Sequence, residues 1–131
     1  MPKRIVVAMT GASGAILGVR LLEALHNCGA ETHLIISEAG KQTLAIETEY
    51  AVEQVWAMAS CAYDDADLTS PLASGSFPTD GMVIIPCSVK TLAGVASGYA
   101  ATLILRAADV ALKERRPLIM AVREAPLSAI H

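Results

Sequence analysis

The sequence predicts an α/β fold, a doubly wound, Rossmann-like parallel sheet with helices on both faces. Short apolar runs rich in β-branched residues alternate with helical patterns, and a Gly-rich turn follows the first run. With 131 residues, 53% hydrophobic but only 4% aromatic, the chain can bury one core built mainly from small aliphatic side chains. We therefore expect residues 1–131 to form a single domain.

The first half of the chain has the order expected of a doubly wound unit. A continuous apolar run over Ile5–Met9 is typical of a strand buried on both faces, and Thr10–Gly14 forms the Gly-rich turn after it. Ser37 is placed to cap the second long helix. The predicted elements are a strand over 5–9, a helix over 15–28, a strand over 32–36, a helix over 38–47 and a short helix over 51–58.

The second half begins with a long irregular segment, 59–80, of the length that often carries function in compact domains. Ser88 is placed to cap the helix that follows the third strand. The further predicted elements are a strand over 82–85 ended by Pro86, a helix after Ser88, a helix over 103–115, a strand over 118–122 and an exit loop over 123–126. Residues 127–131 look like the opening of another helix, so we expect the chain to lack a C-terminal strand and helix.

Charge and hydropathy exclude several classes of protein. Ten basic and thirteen acidic side chains give a net charge of −3, which argues against nucleic-acid binding by bulk charge. No apolar run reaches membrane-spanning length, which argues against a membrane protein. The low charged fraction of 18% suits a surface partly covered by other subunits, so we expect a homo-oligomer.

Cysteine and histidine spacing bears on compartment and metal binding. Cys28, Cys61 and Cys87 form neither a CxxC pair nor an even disulfide framework, which favours reduced thiols and a cytoplasmic location. His26 and His33 have no Cys or carboxylate cluster at ligand spacing, so no metal site is predicted.

The predicted strand ends share the chemistry of an anion site. In a parallel sheet, ligands bind at the carboxyl ends of the strands. Four such ends can be identified here: Thr10–Gly14, Ser37, Pro86–Thr91 and Arg123–Glu124. Small hydroxyls, helix N-termini and a guanidinium are suited to a phosphate monoester. A tight turn whose glycines serve geometry alone is the alternative for Thr10–Gly14.

The glycine spacing argues against a dinucleotide site. The glycines fall at 11, 14 and 18, which does not meet GxGxxG or the short-chain dehydrogenase patterns. None of the three tyrosines is followed by Lys four residues later. A mononucleotide such as FMN remains.

Other candidate residues each have a structural alternative. Cys87 stands between a strand and a helix, where its pKa could be lowered, although a buried structural cysteine is the simpler interpretation. Glu47 alone would pass for part of a solvated helix face. Lys113 and its basic neighbours would ordinarily be a charge cluster at a helix C-terminus.

Seven segments in order resemble the UbiX-like flavin prenyltransferases (phenylacrylic acid decarboxylase-like flavoproteins). This family lies within a wider flavoprotein group that includes flavin-dependent cysteine decarboxylases. The segments cover nearly the whole chain, and no single one is decisive. They are Met9-Thr10-Gly11-Ala12-Ser13-Gly14-Ala15, Ile36-Ser37, Ala73-Ser74-Gly75-Ser76, Pro86-Cys87-Ser88-Val89-Lys90-Thr91-Leu92, Arg106-Ala107-Ala108-Asp109-Val110, Leu112-Lys113-Glu114-Arg115-Arg116 and Val122-Arg123-Glu124-Ala125-Pro126-Leu127.

The resemblance implies an activity. Such enzymes join the dimethylallyl group of dimethylallyl phosphate to N5 and C6 of reduced FMN, without a metal. The prenylated flavin is passed to a UbiD-type decarboxylase. The family assembles as a dodecamer with its sites at subunit interfaces.

The resemblance also implies roles for individual residues. Ser13 is implied to contact flavin N5, and Glu47 and Glu124 to lie near the reacting centre, where one could manage proton transfer. Arg106 and Lys113 match cations that bind the donor phosphate. The implied FMN-binding residues are Gly11, Ala12, Ser13, Ser37, Ser88, Val89, Lys90, Thr91 and Arg123.

Two alternatives stay open. Family members continue past the position of His131 and supply a Tyr and a further Lys or Arg to the donor site, so this chain is either a fragment or a non-catalytic FMN-binding protein. A flavin-dependent cysteine decarboxylase is disfavoured, because Pro86-Cys87-Ser88-Val89 stands where those enzymes have a Pro-x-Met-Asn signature. The early catalytic His of those enzymes is also absent.

Overall fold

A computed structural model describes residues 2–131 as a five-stranded parallel sheet in the order β3-β2-β1-β4-β5 with helices on both faces. The doubly wound α/β fold is confirmed. The strands are β1 (Arg4–Met9), β2 (Glu31–Ile36), β3 (Cys61–Asp64), β4 (Gly81–Cys87) and β5 (Leu118–Val122). The helices are α1 (Ala15–Asn27), α2 (Glu38–Glu47), α3 (Val52–Met58), α4 (Val89–Ala96) and α5 (Leu103–Lys113), with a 3₁₀ turn over Pro71–Ala73.

All five strands are parallel, but the order in which the chain adds them to the sheet changes direction at β1. β1 pairs with β2 on one side, where Met9 is opposite Ile36, and with β4 on the other, where Ala8 is opposite Ile84. The chain builds outward to β3 and then crosses back to β4 and β5. In doubly wound sheets a crevice forms outside the carboxyl ends of the strands at such a reversal.

Aliphatic side chains fill the core on both faces of the sheet. One face carries α1, α2 and α3, whose buried Val19, Leu44 and Val55 pack in the same cluster as Val7 of β1. The other face carries α5, whose buried side chains pack against those of β1 and β4. The alternation of inward side chains along β1 explains why its apolar run is continuous.

Both predicted serine caps are confirmed. The Ser37 hydroxyl accepts a hydrogen bond from Gly40 N at 2.9 Å, and the Ser88 hydroxyl accepts one from Thr91 N at 3.1 Å. Each bond satisfies one of the N–H groups that a helix start leaves without an intrahelical partner.

Two predictions in the segment before α4 are wrong. Residues 61–64, expected to be irregular, form the edge strand β3, where His33 of β2 is opposite Cys61. Its side chains are largely exposed, so it lacks the apolar run that marks buried strands. β4 also continues past Pro86 to Cys87, because a register irregularity between Ile84 and Cys87 accommodates a residue without an N–H.

Two predictions near the C-terminus are also wrong. α5 ends at Lys113 because Glu114 caps it and Arg115 adopts a left-handed conformation with φ of 56°. Residues 127–131 form no helix and are exposed. An isolated turn without packing partners cannot repay the cost of helix nucleation.

No helix within residues 2–131 has both the length and the apolar character required to cross a membrane.

Candidate functional site

A cleft opens at the carboxyl ends of β1, β2, β3 and β4. Its volume is about 590 Å³, within the range of small-molecule sites. Thr10, which follows β1, links that strand to the end of β4. Its hydroxyl donates to Pro86 O at 2.7 Å and accepts from Ser88 N at 2.9 Å. The lining residues are Thr10, Gly11, Ser37, Glu38, Ala39, Asp64, Asp65, Ala66, Ser88, Lys90, Thr91, Ala101, Thr102, Ile104 and Leu105.

The N-terminus of α2 is open toward this cleft. Ser37 caps Gly40, but the N–H groups of Glu38 and Ala39 donate to no acceptor in the described part of the chain. The helix start lies tight against the first turn, because a Cβ on Gly40 would be 2.6 Å from Met9 O and one on Gly11 2.6 Å from Ala39 Cβ. Glycine at both positions therefore allows this close packing.

The N-terminus of α4 is open in the same way. The Ser88 hydroxyl accepts from Thr91 N and donates to Thr91 Oγ1 at 2.9 Å. The N–H groups of Val89 and Lys90 have no acceptor among residues 2–131. Two helix starts thus have four unpartnered N–H groups, and three of these, on Glu38, Ala39 and Lys90, belong to residues that line the cleft, to which the helix starts add partial positive charge.

The N-terminus of α1, by contrast, is closed by a side chain of the protein. Glu47 accepts hydrogen bonds from Ser13 Oγ at 2.7 Å, Gly14 N at 2.9 Å and Ala15 N at 3.1 Å. Gly14 has φ of 107°, which favours glycine. The resemblance implies that both Ser13 and Glu47 lie near the reacting centre, and the structure joins these two residues by a direct hydrogen bond.

These contacts determine the charge of Glu47. The hydrogen bond from Ser13, followed by those from Gly14 and Ala15, lowers the pKa of this carboxyl, and the positive charge of Arg123 adds a smaller lowering. Arg123 lies close by, since its Nε is 3.0 Å from where a Cβ on Gly14 would be. The structure thus brings Ser13, Glu47 and Arg123 together beside the first turn.

The N-terminus of α5 is closed by Asp65, which the sequence analysis did not single out. Asp65 Oδ1 accepts from Ile104 N at 2.9 Å, and its carbonyl accepts from Leu103 N at 2.7 Å. Burial raises the pKa of this carboxyl, with opposition from the Ile104 hydrogen bond. The partners are 39 residues apart, so no local spacing signalled the contact.

Not every predicted site residue lines the cleft. Gly11, Ser37, Ser88, Lys90 and Thr91 do. Those that do not are Ala12, Ser13, Glu47, Val89, Arg106, Lys113, Arg123 and Glu124.

The predicted donor-phosphate cations are spread along α5. Leu105 lines the cleft near the start of the helix, whereas Lys113 is its last residue. At 1.5 Å per residue the two ends of this helix are about 15 Å apart. Neither Lys113 nor Arg106 lines this cleft, and both side chains are exposed.

Cys87 is a buried thiol. Burial raises its pKa to about 11, against the lowering that a reactive cysteine needs. The structural interpretation of Cys87 is therefore the better one.

We expect thiol alkylation to separate Cys87 from the two exposed cysteines. At pH 8, iodoacetamide should modify Cys28 and Cys61 in the folded protein and Cys87 only after denaturation, because the thiolate is the nucleophile. Peptide mass spectrometry over a time course would measure the three rates. Rapid labelling of Cys87 in the folded protein would contradict a structural role.

Within residues 2–131, no group of three or more His, Cys, Asp or Glu side chains is arranged to hold a metal ion.

Comparison with known proteins identifies close relatives. A family profile described as Flavoprotein matches residues 1–131. The flavin prenyltransferase UbiX of Salmonella typhimurium is 52% identical over 98% of this chain and 69% of its own length. UbiX of Escherichia coli has the same identity and coverage. A mitochondrial flavin prenyltransferase of Saccharomyces cerevisiae is 49% identical, and the chain covers 54% of it.

Solved structures give the same result. AnUbiX in complex with FMN and dimethylallyl pyrophosphate matches with a TM-score of 0.98 and 49% identity, over 99% of this chain and 69% of that one. A dodecameric FMN-dependent UbiX-like decarboxylase from Escherichia coli matches with a TM-score of 0.95 and 52% identity, over 97% and 69% of the two chains. The peptidyl-cysteine decarboxylase EpiD, at 15% identity and a TM-score of 0.72, shares the fold.

Proposed function

Because this chain belongs to the flavoprotein family and, within it, to the UbiX-like flavin prenyltransferases, we propose that it transfers a dimethylallyl group to FMN. The donor is dimethylallyl phosphate, and the new bonds are to N5 and C6 of the reduced flavin. The observation that carries the proposal is the 52% identity to UbiX over 98% of the chain. The cleft described above supplies its physical basis.

The open starts of α2 and α4 fit the phosphate of FMN. The unpartnered N–H groups of Glu38, Ala39 and Lys90, the hydroxyls of Ser37 and Ser88 and the ammonium of Lys90 all belong to residues that line one cleft. A doubly charged monoester is the kind of group that such donors and aligned helix dipoles favour. We assign the FMN phosphate to this place.

We assign the reacting end of the flavin to the neighbourhood of Ser13 and Glu47. Reduced FMN supplies the nucleophile, and the protein supplies positioning and proton transfer. The Ser13 hydroxyl donates to Glu47, so its oxygen can accept a proton from a bound ligand as its own proton passes to the carboxylate. Glu124, exposed and next to Arg123, is the second candidate for this proton transfer.

We assign Arg106 and Lys113 to the donor phosphate in an assembled oligomer. Lys113 is the last residue of α5 and does not line the cleft of its own chain, which supports a role at the site of a neighbouring subunit. The dodecameric UbiX-like relative supports a homo-oligomer of this kind. Fixed cations at the donor phosphate would favour its departure as an anion.

Two further parts of the proposal concern the cell. The prenylated flavin would be passed to a UbiD-type decarboxylase, and the reaction would take place in the cytoplasm without a metal. The bacterial UbiX relatives support the flavin product, and the yeast relative is described as mitochondrial.

Anaerobic turnover tests the proposal. The protein is incubated with dithionite-reduced FMN and dimethylallyl phosphate, and the extracted flavin is analysed by mass spectrometry. We expect a flavin heavier by one five-carbon unit. Gel filtration with FMN in parallel reports flavin binding and oligomer size.

The same experiment distinguishes the second candidate function. A non-catalytic FMN-binding protein would co-elute with FMN and leave it unprenylated. Absence of both FMN binding and product would contradict both candidates.

A further inference from the structure

Two carboxylates at the end of β3, Asp64 and Asp65, line the cleft that the proposed function assigns to FMN. Neither forms an ion pair with a Lys or Arg in the described part of the chain. Carboxylates repel phosphate, so their presence in a phosphate-binding cleft calls for a physical reason.

Asp65 accepts hydrogen bonds from two N–H groups at the start of α5. Its side chain accepts from Ile104 N at 2.9 Å and its carbonyl from Leu103 N at 2.7 Å, while Thr102 caps Leu105 N and Arg106 N. The first four N–H groups of α5 are therefore all satisfied by the protein. A carboxylate of the chain occupies the position that an anionic ligand group would take at an open helix start.

The cleft is consequently polarised. Its α2 and α4 sides carry three unpartnered N–H groups, on Glu38, Ala39 and Lys90, and the ammonium of Lys90, which is its sole lysine or arginine within residues 2–131. Its β3 and α5 side carries Asp64 and Asp65. The third lining carboxylate, Glu38, is paired with Lys41 at 2.9 Å.

This polarity distinguishes two flavin nucleotides. FMN ends in one phosphate, whereas FAD continues through a second phosphate to adenosine. A second phosphate in this cleft would need its own donors, and the third helix start that lines the cleft is filled by Asp65. We propose that Asp65 is a specificity-determining residue that makes the cleft favour FMN over FAD. The inference rests on the proposed function.

Flavin titrations test this role. Affinities for FMN, FAD and riboflavin are measured for the wild-type protein and for Asp65→Asn, whose amide oxygen can still accept from Ile104 N. We expect the wild type to bind FMN at least about tenfold more tightly than FAD, and Asp65→Asn to reduce that ratio roughly three- to tenfold, as removal of one nearby like charge predicts.

A matched control removes one negative charge at a position outside the cleft. Asp67→Asn removes an exposed carboxylate from the same loop, where it accepts from Thr69 and does not line the cleft. Its FMN-to-FAD ratio should stay within about twofold of the wild type, because an exposed charge outside the cleft is screened. Asp65→Ser, whose hydroxyl can also cap Ile104 N, serves if the Asn variant does not fold.

The possible outcomes distinguish failure of this inference from failure of the proposed function. Equal wild-type affinities for FMN and FAD overturn the role of Asp65, as does a folded Asp65→Asn or Asp65→Ser protein with an unchanged ratio. A wild-type protein that binds neither nucleotide overturns the proposed function as well.

Discussion

Glu47→Gln should lower the rate of flavin prenylation by about 100-fold or more, the usual contribution of a positioned proton-transfer group. The Gln amide oxygen can still accept from Gly14 N and Ala15 N, so the start of α1 keeps its partner. The neutral side chain cannot receive the proton that Ser13 now directs toward it. Initial rates of prenylated-flavin formation under anaerobic conditions would measure the loss, with FMN affinity expected to change little.

Glu49→Gln is the matched control for this prediction. Glu49 is an exposed glutamate two residues away, outside the Ser13–Glu47 contact, and its variant should keep the wild-type rate. A Glu47→Gln rate within threefold of the wild type would remove Glu47 from proton transfer and leave it as the cap of α1.

The pH dependence of the hydrogen bonds that Glu47 accepts at the start of α1 follows from the lowered pKa of its carboxyl. Because hydrogen bonds lower the folded-state pKa, the stabilisation they bring is fully present above the ordinary glutamate value of about 4.3. It is lost as the pH falls through the lower, folded-state value. At neutral pH the carboxylate is therefore ionised and the contact with Ser13 intact.

Ser37→Asp should weaken FMN binding by about 100-fold, because it places a negative charge where we assign the doubly charged phosphate. Aspartate is itself a good N-cap, so α2 should keep its start and the protein its fold. Quenching of flavin fluorescence on titration with protein would give the dissociation constants. Riboflavin, which has no phosphate, should bind the variant and the wild type about equally.

Ser97→Asp controls for the added charge. Ser97 is exposed at the C-terminal end of α4, and Ser88, at the other end of the same helix, lines the cleft. FMN affinity should be nearly unchanged in this variant. Retention of wild-type FMN affinity by Ser37→Asp would contradict the assignment of the phosphate to the start of α2.

The buried strands and serine caps were predictable because their signals are local. A continuous β-branched run such as Ile5–Met9 has few alternatives to a strand buried on both faces, and Ser37 and Ser88 each bond an N–H three residues ahead. β3 was missed for the opposite reason. It is an exposed edge strand, held by pairing with β2 rather than by apolar side chains of its own.

The composition of the site was likewise open to sequence reasoning, whereas its division into open and closed helix starts was not. Hydroxyls and glycines after predicted strands indicate an anion site whatever the exact packing. Whether a helix start is free depends on which distant carboxylate reaches it: Glu47 closes α1 from 32 residues away and Asp65 closes α5 from 39. Such contacts have no sequence spacing to reveal them, since the sheet order alone brings the partners together, and only the tertiary structure shows that α2 and α4 remain open for a ligand.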